Sequence, residues 1–252
     1  MIVLKRFRFL VVGLLVLSFF TIGARPTHAA ENSVKDVTLT QLAPHVWMHT
    51  STGIVDGSPV PANGVVLETS KGLVMIDTPW DDSLTDQLLQ RLKQQFPDKQ
   101  VTDAIVTHAH DDRIGGLNTL YKNRVKVHST KLTADLAEQR GFDRPLGDLK
   151  KVTKMRFGGI DVETYYPGKG HTKDNITVWL PQEKLLFGGC LIKALETQEI
   201  VPTPDFYPDH WPHAVENVIK RYNDINIVVP GHGNPGDDRL LTHTLSLLEN
   251  QK

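Results

Sequence analysis

Four separated loops constrain this chain more than any other feature, because each borders a run of strand-forming residues and each offers side chains that bind metal ions. Thr107-His108-Ala109-His110-Asp111-Asp112-Arg113 follows the strand pattern Gln100–Val106, and Gly170-His171-Thr172 lies between two strand patterns. Gly189-Cys190-Leu191 follows Lys184–Gly188, and Pro230-Gly231-His232-Gly233 ends Ile225–Val229. A fold that uses all four must bring several strand ends to one edge, and glycine beside a candidate ligand allows the sharp turns and close approach that convergence needs. Imidazole, thiolate and carboxylate are the ligands zinc takes. In an extended or turning backbone alternate side chains point the same way, so His108 and His110 can reach one ion while Asp112 is offset toward a second. Taken alone, the His-x-His pair reads equally well as a solvated polar loop; the other three loops favour a metal.

Between these loops the pattern is mixed. Val37–Thr50 and Gly64–Ile76 read as short strands rich in Val, Leu and Ile, with a hairpin at Gly57–Pro61. Asp81–Phe96 carries Leu84, Leu88, Leu89, Leu92 and Phe96 at helical spacing, with Asp81 and Asp82 as caps. Further helices are expected at Thr130–Arg140, Trp211–Tyr222 and Arg239–Glu249, and further strands at Val152–Phe157, Ile160–Tyr166, Ile176–Leu180 and Lys184–Gly188. This mixture predicts an α/β class of sheets faced with helices. With no low-complexity linker and no short-period repeat, residues 31–252 read as a single domain.

The N-terminal segment is of another kind. Lys5, Arg6 and Arg8 precede the apolar run Phe9–Phe20, and the small residues Ala29 and Ala30 follow, which is the pattern of a secretory signal peptide over residues 1–30. The run is too short to span a bilayer as a helix, and no Cys stands near the cleavage site to accept a lipid. The expectation is an exported protein, periplasmic or secreted, with no stable membrane association after cleavage; an uncleaved anchor is the alternative. Loss of the segment leaves 24 basic against 29 acidic residues, a balance of −5 that gives no reason to expect nucleic-acid binding. Exported proteins usually pair their cysteines, yet Cys190 is the single Cys of the chain. It is either a buried inert thiol or one held by a metal.

Taken together, Asn63–Gly64, Gly72–Asp77, the metal loop through Gly115-Gly116, Pro167–Asn175, Gly188-Gly189-Cys190-Leu191-Ile192-Lys193 and Val229-Pro230-Gly231-His232-Gly233 resemble the metallo-β-lactamases, specifically the two-zinc subclass. The resemblance covers nearly all of residues 31–252. It implies a four-layer αβ/βα sandwich with two mixed sheets and outer helices. It also implies two Zn²⁺ ions, one held by His108, His110 and His171 and the other by Asp112, Cys190 and His232. The implied reaction is hydrolysis of the β-lactam ring of penicillins, cephalosporins and carbapenems by a zinc-bound hydroxide with no acyl-enzyme, conferring antibiotic resistance. Asp112 would hold the nucleophile, Lys193 would bind the substrate carboxylate, and Arg113 would stand behind Asp112. The enzyme is expected to be a monomer. Relatives such as glyoxalase II carry a histidine ligand where this chain has Arg113, which disfavours a thioester, lactone or phosphodiester hydrolase; a non-catalytic zinc-binding protein is the other alternative.

Two positions depart from the pattern. Asp111 stands where relatives often carry a small residue and is expected to be solvated. The loop Ala194–Pro202 lacks the Gly-Asn pair whose Asn contacts the lactam carbonyl in many relatives. Ile54 and Val55 occupy the hairpin that forms an apolar flap in the family. His45, His49, His128, His210, His213 and His243 have no ligand context, His128 being placed after a strand.

Overall fold

The computed structural model describes residues 36–250; the expected signal peptide and its cleavage site lie outside the described residues. Strand β1 (Thr38–Ala43) turns into β2 (Val46–Val55), which returns through Asp56 and Gly57 (φ 48 and 78) as β3 (Ser58–Thr69). Two successive residues of positive φ match the twist of hairpin strands. The expected turn at Gly57–Pro61 therefore shrinks to two residues, and Pro59 and Pro61 pair in β3 opposite Ile54 and Thr52. They are tolerated because β4 (Gly72–Ile76) pairs only with Val65–Thr69, leaving the other edge of that stretch without a ladder to interrupt.

From β4 the first sheet turns parallel, through β5 (Val101–Ile105), β6 (Lys126–Thr130) and β7 (Leu146–Leu149), in the order β1-β2-β3-β4-β5-β6-β7. Parallel neighbours need crossovers, which α1 (Asp82–Gln95), the short α2 (Asp111–Ile114) and α3 (Leu117–Lys122), and α4 (Lys131–Gln139) supply. The second sheet orders β12 (Ile227–Pro230), β11 (Leu185–Gly189), β10 (Thr177–Leu180), β9 (Ile160–Tyr165) and β8 (Val152–Phe157). It is antiparallel except where β11 meets β12. Helices α5 (Trp211–Arg221) and α6 (Arg239–Glu249) complete the chain.

Three apolar slabs hold four layers together. Leu84, Leu88 and Leu92 of α1 pack with Val66, Met75 and Ala104 on one face of the first sheet. Between the sheets lie Val65, Leu67, Ile76, Ile105, Val178, Phe187 and Val229. Val215, Val218, Leu241 and Leu248 of α5 and α6 cover Leu186 and Val228 of the second sheet. This is the expected four-layer sandwich of two mixed sheets with outer helices. Burial of each α1 leucine contributes about 2 kcal/mol, and Asp81 Oδ1 caps the helix by accepting the Leu84 N–H at 2.7 Å.

Three elements are not delimited by the sequence pattern, β6 entering it only as a strand that ends before His128. Helix α3 is too short to show a period, β6 is largely polar, and β7 is an exposed edge. His128 accordingly lies within β6, not after a strand. The polar loop that begins at Thr107 becomes helical at Asp111, with two carboxylates in the first turn where the helix dipole favours negative charge. Among the described residues no helix is long and apolar enough to cross a membrane.

Candidate metal centre

The first metal loop is set by the residue that ends β4. Asp77 adopts a left-handed backbone (φ 59) and accepts two hydrogen bonds from Thr107, from the backbone N–H at 2.7 Å and from the hydroxyl at 2.8 Å. Asp174 Oδ2 accepts the N–H of Ala109, between the two histidines, at 3.0 Å. The loop is thus pinned on both sides of His108, from different parts of the chain.

His110 Nδ1 lies 3.2 Å from His108 Nε2 and 3.2 Å from His171 Nε2. The three rings stand 4.7 to 5.1 Å apart and nearly perpendicular, which points nitrogen atoms at a common centre instead of stacking faces. Nitrogens bound tetrahedrally to zinc at about 2.0–2.1 Å would be separated by roughly 3.3 Å, so the spacing fits. The Nε2–H of His110 donates to Asp205, 3.1 Å from Oδ1 and 3.2 Å from Oδ2, leaving Nδ1 as a lone-pair donor. Arg140 holds Asp205 from behind at 2.8 Å.

Beside this trio, Cys190 Sγ lies 3.4 Å from His232 Nε2 and 3.7 Å from Asp112 Oδ2, and the latter two atoms are 3.2 Å apart. His232 is oriented by donation from Nδ1 to the Pro61 carbonyl at 2.7 Å. Gly189 takes φ 55 to place Cys190, and a Cβ on Gly231 would stand 2.7 Å from Sγ, so only glycine fits against the thiol. The cluster is continuous: potential ligand atoms of His108, His171 and Cys190 lie within 4.8 Å of one another, as do those of His108, His110 and Asp112 and those of Asp112, Cys190 and His232.

Behind Asp112 the fully buried Arg113 donates to Asp112 Oδ2 at 2.6 Å, to the Asn63 carbonyl at 2.5 Å and to the Gly231 carbonyl at 2.9 Å, and faces Asp77 at 3.3 Å. Charge divides the cluster in two. Burial holds His108 and His171 well below the ordinary imidazole value, so both are neutral lone-pair donors. Burial would raise Asp112, but Arg113, His232 and His108 outweigh it and hold the carboxyl well below its usual range. For His232 burial works downward, and the charges of Cys190 and Asp112 outweigh it, lifting the imidazole to about 9. One half therefore offers neutral nitrogens, while the other attracts positive charge; a divalent cation fits both.

Lys193 is partly buried, with its backbone N–H on Thr244 Oγ1 at 2.9 Å. Burial lowers its ammonium from the usual value, against the pull of Cys190 and Asp112. Asp111 is exposed, as expected, and Ile54 and Val55 project at the hairpin tip with 58% and 41% of their surface free. The loop after Lys193 leaves Val201 and Pro202 exposed, and Glu196 braces it by accepting the Asn234 N–H at 2.6 Å. The remaining histidines stay outside the ligand cluster: His45 meets Glu68, His128 bridges Asp103 and Asp148, His213 meets Glu216, His243 meets the Thr197 carbonyl, His210 precedes α5 without a side-chain bond to its first turn, and buried His49 faces the Asp77 carbonyl. Asp205 and the hydrogen bonding of Asp77 escape sequence reading, because no local pattern marks a carboxylate whose partner lies far along the chain.

The profile of the metallo-beta-lactamase superfamily matches residues 57–232. A metallo-beta-lactamase type 2 from Bacillus cereus is 52% identical over 219 residues, covering 87% of this chain and 85% of the relative. Among solved structures, a metallo-beta-lactamase from Pontibacter korlensis superposes with a TM-score of 0.82 at 40% identity, covering 86% of this chain and all of its own. One from Pseudomonas aeruginosa in a mono-zinc form gives 0.79 at 32% identity, over 86% and 97%.

Proposed function

The chain belongs to the metallo-beta-lactamase superfamily, and from that membership we propose that it opens the β-lactam ring of penicillins, cephalosporins and carbapenems by adding water to the lactam carbonyl, and thereby confers antibiotic resistance. The observation that carries this reading is the convergence of His108, His110, His171, Asp112, Cys190 and His232 on one cluster. The three histidines would hold one zinc ion, and Asp112, Cys190 and His232 would hold a second. Zinc in these positions would supply the acidity that activates a water and the positive charge that polarises the carbonyl. Asp112, kept ionised beside Arg113, accepts a hydrogen bond from the attacking water and aligns it with the carbonyl carbon. Lys193 binds the carboxylate common to the three antibiotic classes. With Cys190 a ligand and not a nucleophile, water itself adds to the carbonyl carbon, and a proton from it ends on the ring nitrogen as the C–N bond breaks. Arg113 is buried and stays protonated, so it cannot replace a histidine ligand, which supports the Asp-Cys-His set over that of the thioester hydrolases.

Residues 1–30 direct export, to the periplasm or out of the cell, and residues 31–252 act as one monomeric domain; the apolar run and small residues of the N-terminal segment support the first statement. The test is hydrolysis of one penicillin, one cephalosporin and one carbapenem by purified protein, with zinc content measured before and after chelation. Ring opening that disappears with the metal and returns on adding zinc is expected. Zinc bound without hydrolysis, or turnover of a thioester or lactone instead, would overturn the reading.

A further inference from the structure

A single buried indole links three parts of the cluster that belong to different segments of sequence. Trp211, 1% exposed at the start of α5, donates its Nε1–H to the Leu191 carbonyl at 2.8 Å, between Cys190 and Lys193. Its ring stands 5.6 Å from His171 at 67°, and Lys193 Nζ lies 5.4 Å above its centroid. Among the described residues Lys193 makes no salt bridge with a carboxylate. An ammonium placed in a partly buried site needs some compensation for lost water. An acidic side chain would supply it but would also occupy the charge, whereas an aromatic face attracts the cation and leaves its N–H donors free.

We propose that Trp211 is a positioning residue for substrate binding: its ring holds the Lys193 ammonium un-neutralised and aimed at the site, ready for a substrate carboxylate. The inference rests on the reading of Lys193 as the carboxylate anchor. It assigns Trp211 an effect on binding, distinct from the packing that any buried aromatic provides. The neighbouring Lys169 is supported in the same manner, its Nζ 5.0 Å above the Tyr207 ring, so the segment that leads into α5 presents aromatic faces to two cations.

The test is a coupling cycle in the zinc-loaded enzyme with benzylpenicillin as probe, comparing Trp211→Leu, Trp211→Phe, Lys193→Ala and the double variant Trp211→Leu/Lys193→Ala. Zinc content and melting temperature are read alongside kcat and KM. Loss of the aromatic face in Trp211→Leu is expected to raise KM about fivefold to tenfold, with kcat changed by less than about twofold and both zinc equivalents retained. Trp211→Phe keeps a face but no N–H and is expected to recover most of that loss. In the Lys193→Ala background the leucine substitution is expected to raise KM no further. An equal rise in that background, a Phe variant as impaired as Leu, or a fall in kcat that tracks zinc loss would each overturn the proposal. Should Trp211→Leu not fold, the same cycle with Trp211→Phe decides: KM unchanged in it supports the aromatic face, and an increase that persists without Lys193 sinks it. Lys193→Ala with unaltered KM would instead remove the anchor reading on which the proposal rests.

Discussion

The two halves of the metal cluster solve the same problem with opposite electrostatics. In the first half burial keeps His108 and His171 unprotonated, and the carboxylate that meets the His110 ring, Asp205, lies on the side away from the common centre. Asp112, Cys190 and His232 form a charged group, whose carboxylate stays ionised in the interior because Arg113 is locked beneath it. The neutral half needs shape, supplied by loop anchors such as Asp174 on the Ala109 N–H. The charged half needs a buried counter-charge, which Arg113 supplies while also donating to the Asn63 and Gly231 carbonyls. A substitution among the groups behind the candidate ligands should therefore act on metal capacity in the first half and on fold stability in the second.

The strongest way to break that contrast is Arg113→Met. It strips the partner from Asp112 and Asp77 in a dry environment and should cost about 3–5 kcal/mol in denaturant unfolding of the zinc-free protein. A loss below about 1 kcal/mol would mean that Arg113 is not what keeps the charged half together. Next in size, Cys190→Ala should remove one zinc equivalent while the three histidines retain theirs, with kcat/KM falling more than about 100-fold, beyond what supporting residues around a metal usually contribute. Simultaneous loss of both equivalents, measured by metal analysis, would show that the halves are not separable.

His49 supplies a control for the neutral half, since it is buried and lowered to about 4 by desolvation yet faces the Asp77 carbonyl and not the cluster. Its folded value lies below the ordinary 6.5, so the unfolded chain takes up a proton first as pH falls. Its share of stability is therefore present above pH 6.5 and is lost as pH drops toward 4, about 2 kcal/mol between pH 7 and pH 5. The zinc-free His49→Phe variant should show a correspondingly shallower pH dependence than the zinc-free wild type; parallel curves would refute the assignment. Smallest of the set, Asp205→Asn should weaken metal binding about tenfold through a less well oriented His110, leaving unfolding in the metal-free state nearly unchanged. A large drop in stability there would make Asp205 a structural counter-charge like Arg113 and erase the distinction between the halves.

Much of this was legible in the chain. The strand ends, the helix over Asp82–Gln95 with its Asp81 cap, and the six candidate ligands all carry local marks: period, capping chemistry, or a metal-binding type beside glycine. The elements left undelimited, α3, β6 and β7, are short, polar or at an edge, so they owe their form to neighbours more than to their own pattern.

Sequence patterning thus determined the candidate ligand types and the mixed α/β class, because hydrophobic period and ligand type are properties of short segments, while the layered sandwich was implied by the family resemblance. The family resemblance already implies Arg113 behind Asp112; only the tertiary structure decided what holds Arg113 there and which other groups support the candidate ligands. Asp205 reaches His110 across the chain, Arg113 turns under Asp112 to meet the Asn63 and Gly231 carbonyls, and Trp211 slides its ring beneath Lys193. Those contacts are long-range, and each partner, read in its own segment, is an ordinary loop acid, a basic residue or a helix aromatic. Their roles follow from burial and proximity, which exist only once the two sheets have closed on each other.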